Sequence, residues 1–69
     1  MKKFTYSIYL KQDDGEVIHG RQHERLKEAQ SVYDAWNVGY SIVGVYLVRF
    51  SNKKFDCIVM QKEKSSNEK

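Results

Sequence analysis

The chain has 69 residues, of which 41% are hydrophobic, 13% aromatic and 30% charged, with a net charge of +3 at pH 7. This length suits one domain that buries only about 60% of its unfolded surface, which excludes a multidomain enzyme, and the apolar content is too high for a disordered chain. One cysteine cannot form an internal disulfide, and the sequence has neither a Cys/His zinc framework nor an apolar run of about 18 residues that would cross a membrane.

The first predicted element is a strand over residues 3–12. One of its faces carries Phe4, Tyr6, Ile8 and Leu10, and the other carries Thr5, Ser7, Tyr9 and Lys11. Alternation with period two, in a segment rich in aromatic and β-branched residues, is typical of a strand.

A tight turn is predicted at Asp13-Asp14-Gly15. A two-residue type I′ turn would set Leu10 opposite His19, whereas a three-residue turn with its glycine in a left-handed bulge would set Leu10 opposite Ile18. We favour the second register because it pairs two apolar side chains, and a slip of one residue would reverse both faces of the return strand. That strand covers only residues 16–20, so its pairing stays open.

A helix is predicted over residues 23–37. Four apolar residues fall on one of its faces at helical spacing, namely Leu26, Ala29, Tyr33 and Trp36. Asn37-Val38-Gly39 predicts the end of the helix, with Gly39 available for a left-handed cap. No Ser, Thr, Asp or Asn stands at the start, which leaves the first helical residue open.

Two further strands are predicted over residues 40–50 and 55–61. Either a two-residue or a four-residue loop between them pairs Phe50 with Phe55. The same register sets Arg49 opposite Asp56, where opposite charges agree with the pairing. Gly44 inside the first of these strands indicates a bulge or the close approach of another backbone or a ligand.

The predicted fold class is therefore α+β: a small antiparallel sheet of three to four strands, in the order β-β-α-β-β, with one helix packed on one face. The order becomes β-α-β-β if the second strand does not form. Residues 1–61 make the compact domain, and residues 62–69, which contain no apolar residue, are expected to form a flexible polar tail.

Both faces of the last predicted hairpin are apolar, which is unusual for a sheet with one wet face. One face holds Val43, Val45, Leu47, Ile58 and Met60. The other holds Ile42, Gly44, Tyr46, Val48, Phe50, Phe55, Cys57 and Val59. A single helix covers one face, and we assign it to the aliphatic one; the opposite assignment would move the uncovered patch without removing it.

The uncovered face is the predicted binding site, and its partner-binding residues are Tyr9, Tyr46, Val48, Phe50, Phe55 and Val59. An apolar patch of this size on a small protein is typical of an interaction site, unless the tail or the first hairpin folds over it. We therefore predict a non-catalytic module without cofactor or metal that binds another protein or forms a homodimer. Compact chains of this size are typical of accessory regulators or inhibitors, including those of phages and mobile elements.

Two alternatives use other residues. Lys11, Arg21 and Arg25 would follow phosphates while the aromatic residues stack on bases, which would make the chain a nucleic-acid-binding module. His19 and His23 would act as general acid and base of a small nuclease. The low net charge argues against the first, and the unspecific spacing of the histidines argues against the second.

The N-terminal segment predicts a cytoplasmic protein. Polar residues soon interrupt the apolar stretch after Met1-Lys2-Lys3-Phe4, and no small-residue cleavage site follows, so we expect no signal peptide and no membrane attachment. The single thiol, Cys57, lies among apolar residues and is expected to be reduced and inert.

Overall fold

A computed structural model describes residues 3–39 and 41–64 of the chain. Five elements follow one another: β1 (Phe4–Gln12), β2 (Val17–His23), α1 (Leu26–Ala35), β3 (Ile42–Ser51) and β4 (Lys54–Glu63). The four strands form one antiparallel sheet in the order β2-β1-β3-β4. The α+β class and the β-β-α-β-β order are confirmed, and the shorter β-α-β-β alternative is wrong because β2 pairs with β1. Within the described ranges, no helix has the length and apolar character needed to cross a membrane.

The β1–β2 hairpin has the three-residue turn that the sequence favours. Gly15 has a φ of +94°, in the left-handed region, and the Gln12 N–H donates to the Glu16 carbonyl at 2.7 Å. A side-chain oxygen of Asp14 accepts from the Glu16 N–H at 2.9 Å, which closes the turn locally. Leu10 consequently pairs with Ile18, as predicted.

The β3–β4 hairpin turns at Asn52 and Lys53, whose φ values of 53° and 70° are those of a two-residue type I′ turn. Phe50 pairs with Phe55 as predicted, but Arg49 pairs with Cys57 rather than with Asp56. Asp56 is an extra residue in β4, a β-bulge that the alternating pattern does not reveal. Arg49 and Asp56 nevertheless form an ion pair across this bulge. Arg49 Nε donates to Asp56 Oδ2 at 2.6 Å.

A second bulge, at Val59, restores the alternation of β4. Ile58 pairs with Val48, and Met60 pairs with Leu47, which leaves Val59 unpaired between them. Between the two bulges, Cys57 and Ile58 lie on the opposite faces of the sheet from those predicted. Ile58 therefore lies on the side predicted for Cys57 and Val59, and the predicted faces of Cys57 and Ile58 are wrong.

Strand β4 also extends further than predicted. It ends at Glu63 instead of residue 61, and the Lys64 N–H donates to the Val43 carbonyl at 2.8 Å. The predicted tail therefore contributes two residues to the sheet, and its residues 65–69 lie outside the described part of the chain.

The core lies between α1 and the central strands. It consists of Ile8, Leu10, Val45 and Leu47 from the sheet and Ala29 and Tyr33 from the helix. Ile8 pairs with Leu47, and Leu10 pairs with Val45, so these four side chains share one face. The helix contacts β1, β2 and β3.

The predicted core role of Leu26 and Trp36 is wrong, since they are 40% and 41% exposed. The helix has ten residues and ends at Ala35, and Trp36 follows it with an extended φ of −90° and ψ of 133°. The change of backbone direction takes the indole off the helical face. Gly39 likewise has no left-handed φ, and Arg25 at the N-cap makes no side-chain capping bond.

We expect Leu47→Ala to lower the free energy of unfolding by about 2–5 kcal/mol, because it deletes a fully buried side chain and leaves a cavity. Trp36→Ala, which removes a larger but half-exposed side chain, should cost clearly less. Urea denaturation of the two variants measures both values. A Trp36→Ala loss equal to that of Leu47→Ala would contradict this description of the core.

We expect Gly15→Ala to lower the free energy of unfolding by about 1–2 kcal/mol, the cost of a left-handed conformation with a Cβ. Gly39→Ala is the matched control, since neither glycine has a neighbouring atom within 4 Å of an added Cβ and only Gly15 has a positive φ. Thermal denaturation compares the two, and equal melting temperatures would exclude the bulged turn.

Candidate functional site

The sheet face opposite the core presents a shallow apolar depression of about 470 Å³. We call it the aromatic face and define it by its lining residues, Tyr9, Lys11, Val17, Tyr46, Val48, Phe50, Phe55 and Ile58. Three of these side chains are strongly exposed: Phe55 at 64%, Val17 at 57% and Ile58 at 46%. Large apolar side chains this accessible, grouped on one surface, are typical of a surface that contacts a partner.

Five of the six predicted partner-binding residues line this face, namely Tyr9, Tyr46, Val48, Phe50 and Phe55. Val59, the sixth, does not line it, because the bulge in β4 brings Ile58 there instead. Val48 is only 7% exposed and forms the floor rather than the contact surface. The prediction missed Val17, although the favoured hairpin register, which pairs Val17 with Lys11, was sufficient to find it.

Aromatic pairs hold the side chains of this face in place. The rings of Tyr9 and His19 stack with centroids 4.5 Å apart and planes 7° from parallel. Phe50 and Phe55 meet edge to face with centroids 6.5 Å apart. Both arrangements are favourable for aromatic quadrupoles, so these rings are ordered by neighbours within the chain.

Tyr46 lies along β3 over Gly44 and reaches β4. A Cβ on Gly44 would be 2.7 Å from the Tyr46 hydroxyl, so any other residue here would displace the phenol from this position. The hydroxyl donates to Glu63 Oε2 at 2.6 Å. The expected bulge is present, because Val43, the residue before Gly44, is unpaired opposite the end of β1. The group close to Gly44 is the Tyr46 side chain of the same strand, rather than another backbone or a ligand.

The bond to Glu63 has an electrostatic consequence for Tyr46. It is the largest of three effects that raise the pKa of the phenol above its ordinary 10.0, the others being partial burial and the negative charge of Glu63. The protonated phenol is thus the form that the folded face favours.

Ser7 lies below the same face with no exposed surface. It stands between Gln22 on β2 and Val48 on β3. Its Oγ has no hydrogen-bond partner among the described residues. A buried hydroxyl without a partner is destabilising.

The cations of the nucleic-acid alternative are not brought together. Lys11 lines the aromatic face. Arg21 lines a separate groove of about 380 Å³ beside Trp36 and Val32 of the helical side, and Arg25 is the N-cap of α1. The three side chains therefore do not form one phosphate-binding track.

The histidines of the nuclease alternative are separated in the same way. His19 stacks on Tyr9 of the aromatic face. His23 pairs with Tyr6, lines the groove on the helical side, and has its Nδ1 4.0 Å from a carboxylate oxygen of Glu28. They lie on opposite sides of the sheet and do not face one substrate. Across residues 3–39 and 41–64, no three His, Cys, Asp or Glu side chains are grouped to hold a metal ion.

No family model, curated protein or solved structure matches the chain. The interpretation of the aromatic face therefore depends on the geometry of its own residues. That geometry describes a largely apolar sheet surface with aromatic side chains, and Lys11 and the Glu63 carboxylate lie at one end of it.

We expect Glu63→Gln to lower the pKa of Tyr46 toward its ordinary value, because the negative acceptor becomes a neutral amide. Since folding raises this pKa, the bond stabilises the protein fully below pH 10.0 and its contribution is lost as the pH rises through the folded-state value. An ultraviolet titration of tyrosinate measures the shift, and Tyr46→Phe identifies which transition belongs to Tyr46. An unchanged Tyr46 transition in Glu63→Gln would contradict the observed bond.

We expect Ser7→Ala to raise the free energy of unfolding by about 1 kcal/mol, because it removes a buried hydroxyl that has no partner. Thr5→Ala serves as the control, since the Thr5 hydroxyl accepts a bond from Gln22 at 3.1 Å and its loss brings no such gain. Chemical denaturation distinguishes the two. A destabilised Ser7→Ala protein would mean that a bound water satisfies the hydroxyl.

Proposed function

We propose that the chain is a non-catalytic interaction module that binds a protein through the aromatic face. That protein is either a different chain or a second copy of this one. The observation that carries the proposal is the exposure of Phe55, Val17 and Ile58 on one continuous sheet surface. A chain of this length buries little apolar surface when it folds, and leaving large apolar side chains in water is unfavourable. Their burial against a partner supplies the driving force for association.

The order of the face favours binding. Its backbone belongs to the hydrogen-bonded ladders of β1, β3 and β4, and its rings are held by Tyr9–His19 and Phe50–Phe55 contacts. Side chains that are already ordered lose less entropy on association. Tyrosine and phenylalanine also provide large contact areas with few rotatable bonds.

The sheet edges are poorer candidates than the face. On one edge, β2 is interrupted by a register shift relative to β1 between Ser7 and Tyr9. On the other edge, β4 carries bulges at Asp56 and Val59. Bulges disrupt the row of free N–H and C=O groups that an added strand would need. The partner is therefore bound by side chains of the face.

The chemistry of the face favours a protein over a nucleic acid. Among the residues that the structure describes, Lys11 is the one cation that lines this face, and binding to phosphates depends on several cations in one track. A module of this kind acts by occupying a surface, as regulators and inhibitors do, including those of phages and mobile elements. We assign it to the cytoplasm, where its one cysteine stays reduced.

Site-specific photo-cross-linking in the cells that make the protein tests this proposal. Benzoylphenylalanine replaces Phe55 on the aromatic face and, as the matched control, the half-exposed Trp36 outside it. We expect a protein adduct at position 55 and none at position 36, and the adduct should disappear when Ile58→Lys is added. Equal adducts at both positions, adducts to nucleic acid, or none at position 55 would overturn the proposal.

A further inference from the structure

We infer that the occupant of the aromatic face is a second copy of the chain, related by a two-fold axis that runs parallel to β3. This inference rests on the proposed function, and it specifies the partner and the orientation. In the resulting dimer, Lys11 of one protomer faces Glu63 of the partner subunit, twice by symmetry. Charge placement and side-chain size support it separately.

The charges lie in one row at one end of the sheet. Lys11 pairs with Gly44, and Gly44 pairs with Glu63, so the cation and the carboxylate flank β3 on opposite sides. Glu63 is held on this face by the Tyr46 hydroxyl. Neither Lys11 nor Glu63 takes part in a salt bridge among the described residues.

A two-fold axis along β3 brings the opposite charges of this row together. Such an axis, lying between two sheets packed face to face, keeps each end of the strands in place and exchanges the β1 side with the β4 side. It therefore brings Lys11 over Glu63 of the partner subunit. Packed sheets are about 10 Å apart, a distance that extended Lys and Glu side chains span together. An axis across the strands would bring Lys11 to the far end of β1, where Glu24 lines a groove beside Thr5. That axis would, however, set the protruding side chains of β4 over those of β4 in the partner subunit.

The side chains on the two sides of β3 also differ in size: those of β1 are small where those of β4 are large. On the β1 side, Ser7 and Thr5 are small, and Ser7 is fully buried below the surface. On the β4 side, Ile58 and Phe55 are large and protrude, at 46% and 64% exposed. The rows Ser7–Val48–Ile58 and Thr5–Phe50–Phe55 place small against large across β3. The same axis sets Ile58 and Phe55 over the low side of the partner subunit, while Val17, on β2, lies outside the contact.

An axis along β3 overlays β1, β3 and β4 of one protomer on β4, β3 and β1 of the partner subunit and leaves β2 outside the contact. Three strands and the seven residues 5–11 of β1 give a footprint of about 14 Å by about 24 Å. Two such faces bury about 700 Å² or somewhat more, because accessible surface exceeds a flat projection, which is the size of a weak contact. The dimer is therefore expected to dissociate on dilution.

Sedimentation equilibrium of the purified full chain measures the dimer, with circular dichroism as the check on folding. We expect Lys11→Glu and Glu63→Lys each to raise the dissociation constant about tenfold, since each single reversal creates two like-charge contacts. The double variant Lys11→Glu/Glu63→Lys should return to within about threefold of the wild type. Lys27→Glu, a control on the exposed surface of the helix, should leave the constant unchanged.

A second readout identifies the contact directly. Copies with natural-abundance and ¹⁵N nitrogen are mixed and coupled with a zero-length carbodiimide, which joins amines to carboxylates. We expect a Lys11–Glu63 peptide of mixed isotope composition, which only an intermolecular contact produces.

The outcomes separate the two proposals. A wild type that stays monomeric overturns the second-copy inference, yet the proposed function stands if position 55 still cross-links to a different protein. A dimer that dissociates with Phe55→Lys but ignores the charge reversals overturns the two-fold orientation alone. A dimer that Phe55→Lys leaves intact is formed elsewhere and overturns the inference. The proposed function also falls if, in addition, position 55 yields no protein adduct.

Discussion

The antiparallel pairing of β1 with β3 is the contact on which the rest of the structure depends. It joins two strands that are distant in sequence, and it sets Ile8 beside Leu47 and Leu10 beside Val45. Those pairs form the floor on which Ala29 and Tyr33 of the helix lie. Since side chains alternate along both strands, the same register determines which residues face the other way. The core and the aromatic face are therefore two consequences of one pairing.

The bulges of β4 adjust this arrangement at its edge. With the extra residues Asp56 and Val59, β4 turns Ile58 onto the aromatic face and Cys57 toward Arg49. Asp56 then reaches Arg49, whose guanidinium also lies 4.6 Å from the centre of the Phe4 ring. The bulges thus allow an ion pair near the turn and add Ile58 to the aromatic face. They also interrupt the free edge of β4, to which another strand could otherwise hydrogen-bond.

The two faces of the sheet differ in how they are closed. On the helical side, Tyr33 is buried, Lys62 lies 4.5 Å from the centre of its ring, and the pKa of this phenol is raised by burial and by Asp34. On the aromatic side, the Tyr46 hydroxyl donates to Glu63 and the ring lies over Gly44. One face is covered by the helix, whereas the other leaves aromatic and aliphatic side chains exposed.

The class of fold, the order of the elements, the bulged turn at Gly15 and most of the aromatic face could be predicted from the sequence. These follow from local alternation, turn residues and helical spacing, which act over a few neighbouring residues. The strand order, the end of the helix before Trp36, and the exchange of Cys57 and Ile58 could not be predicted, because they depend on contacts between distant parts of the chain. A bulge in a uniformly apolar strand leaves no mark in the hydrophobic pattern, because every register buries similar side chains. It is selected by the fit of β4 to β3, which exists only once the sheet has formed.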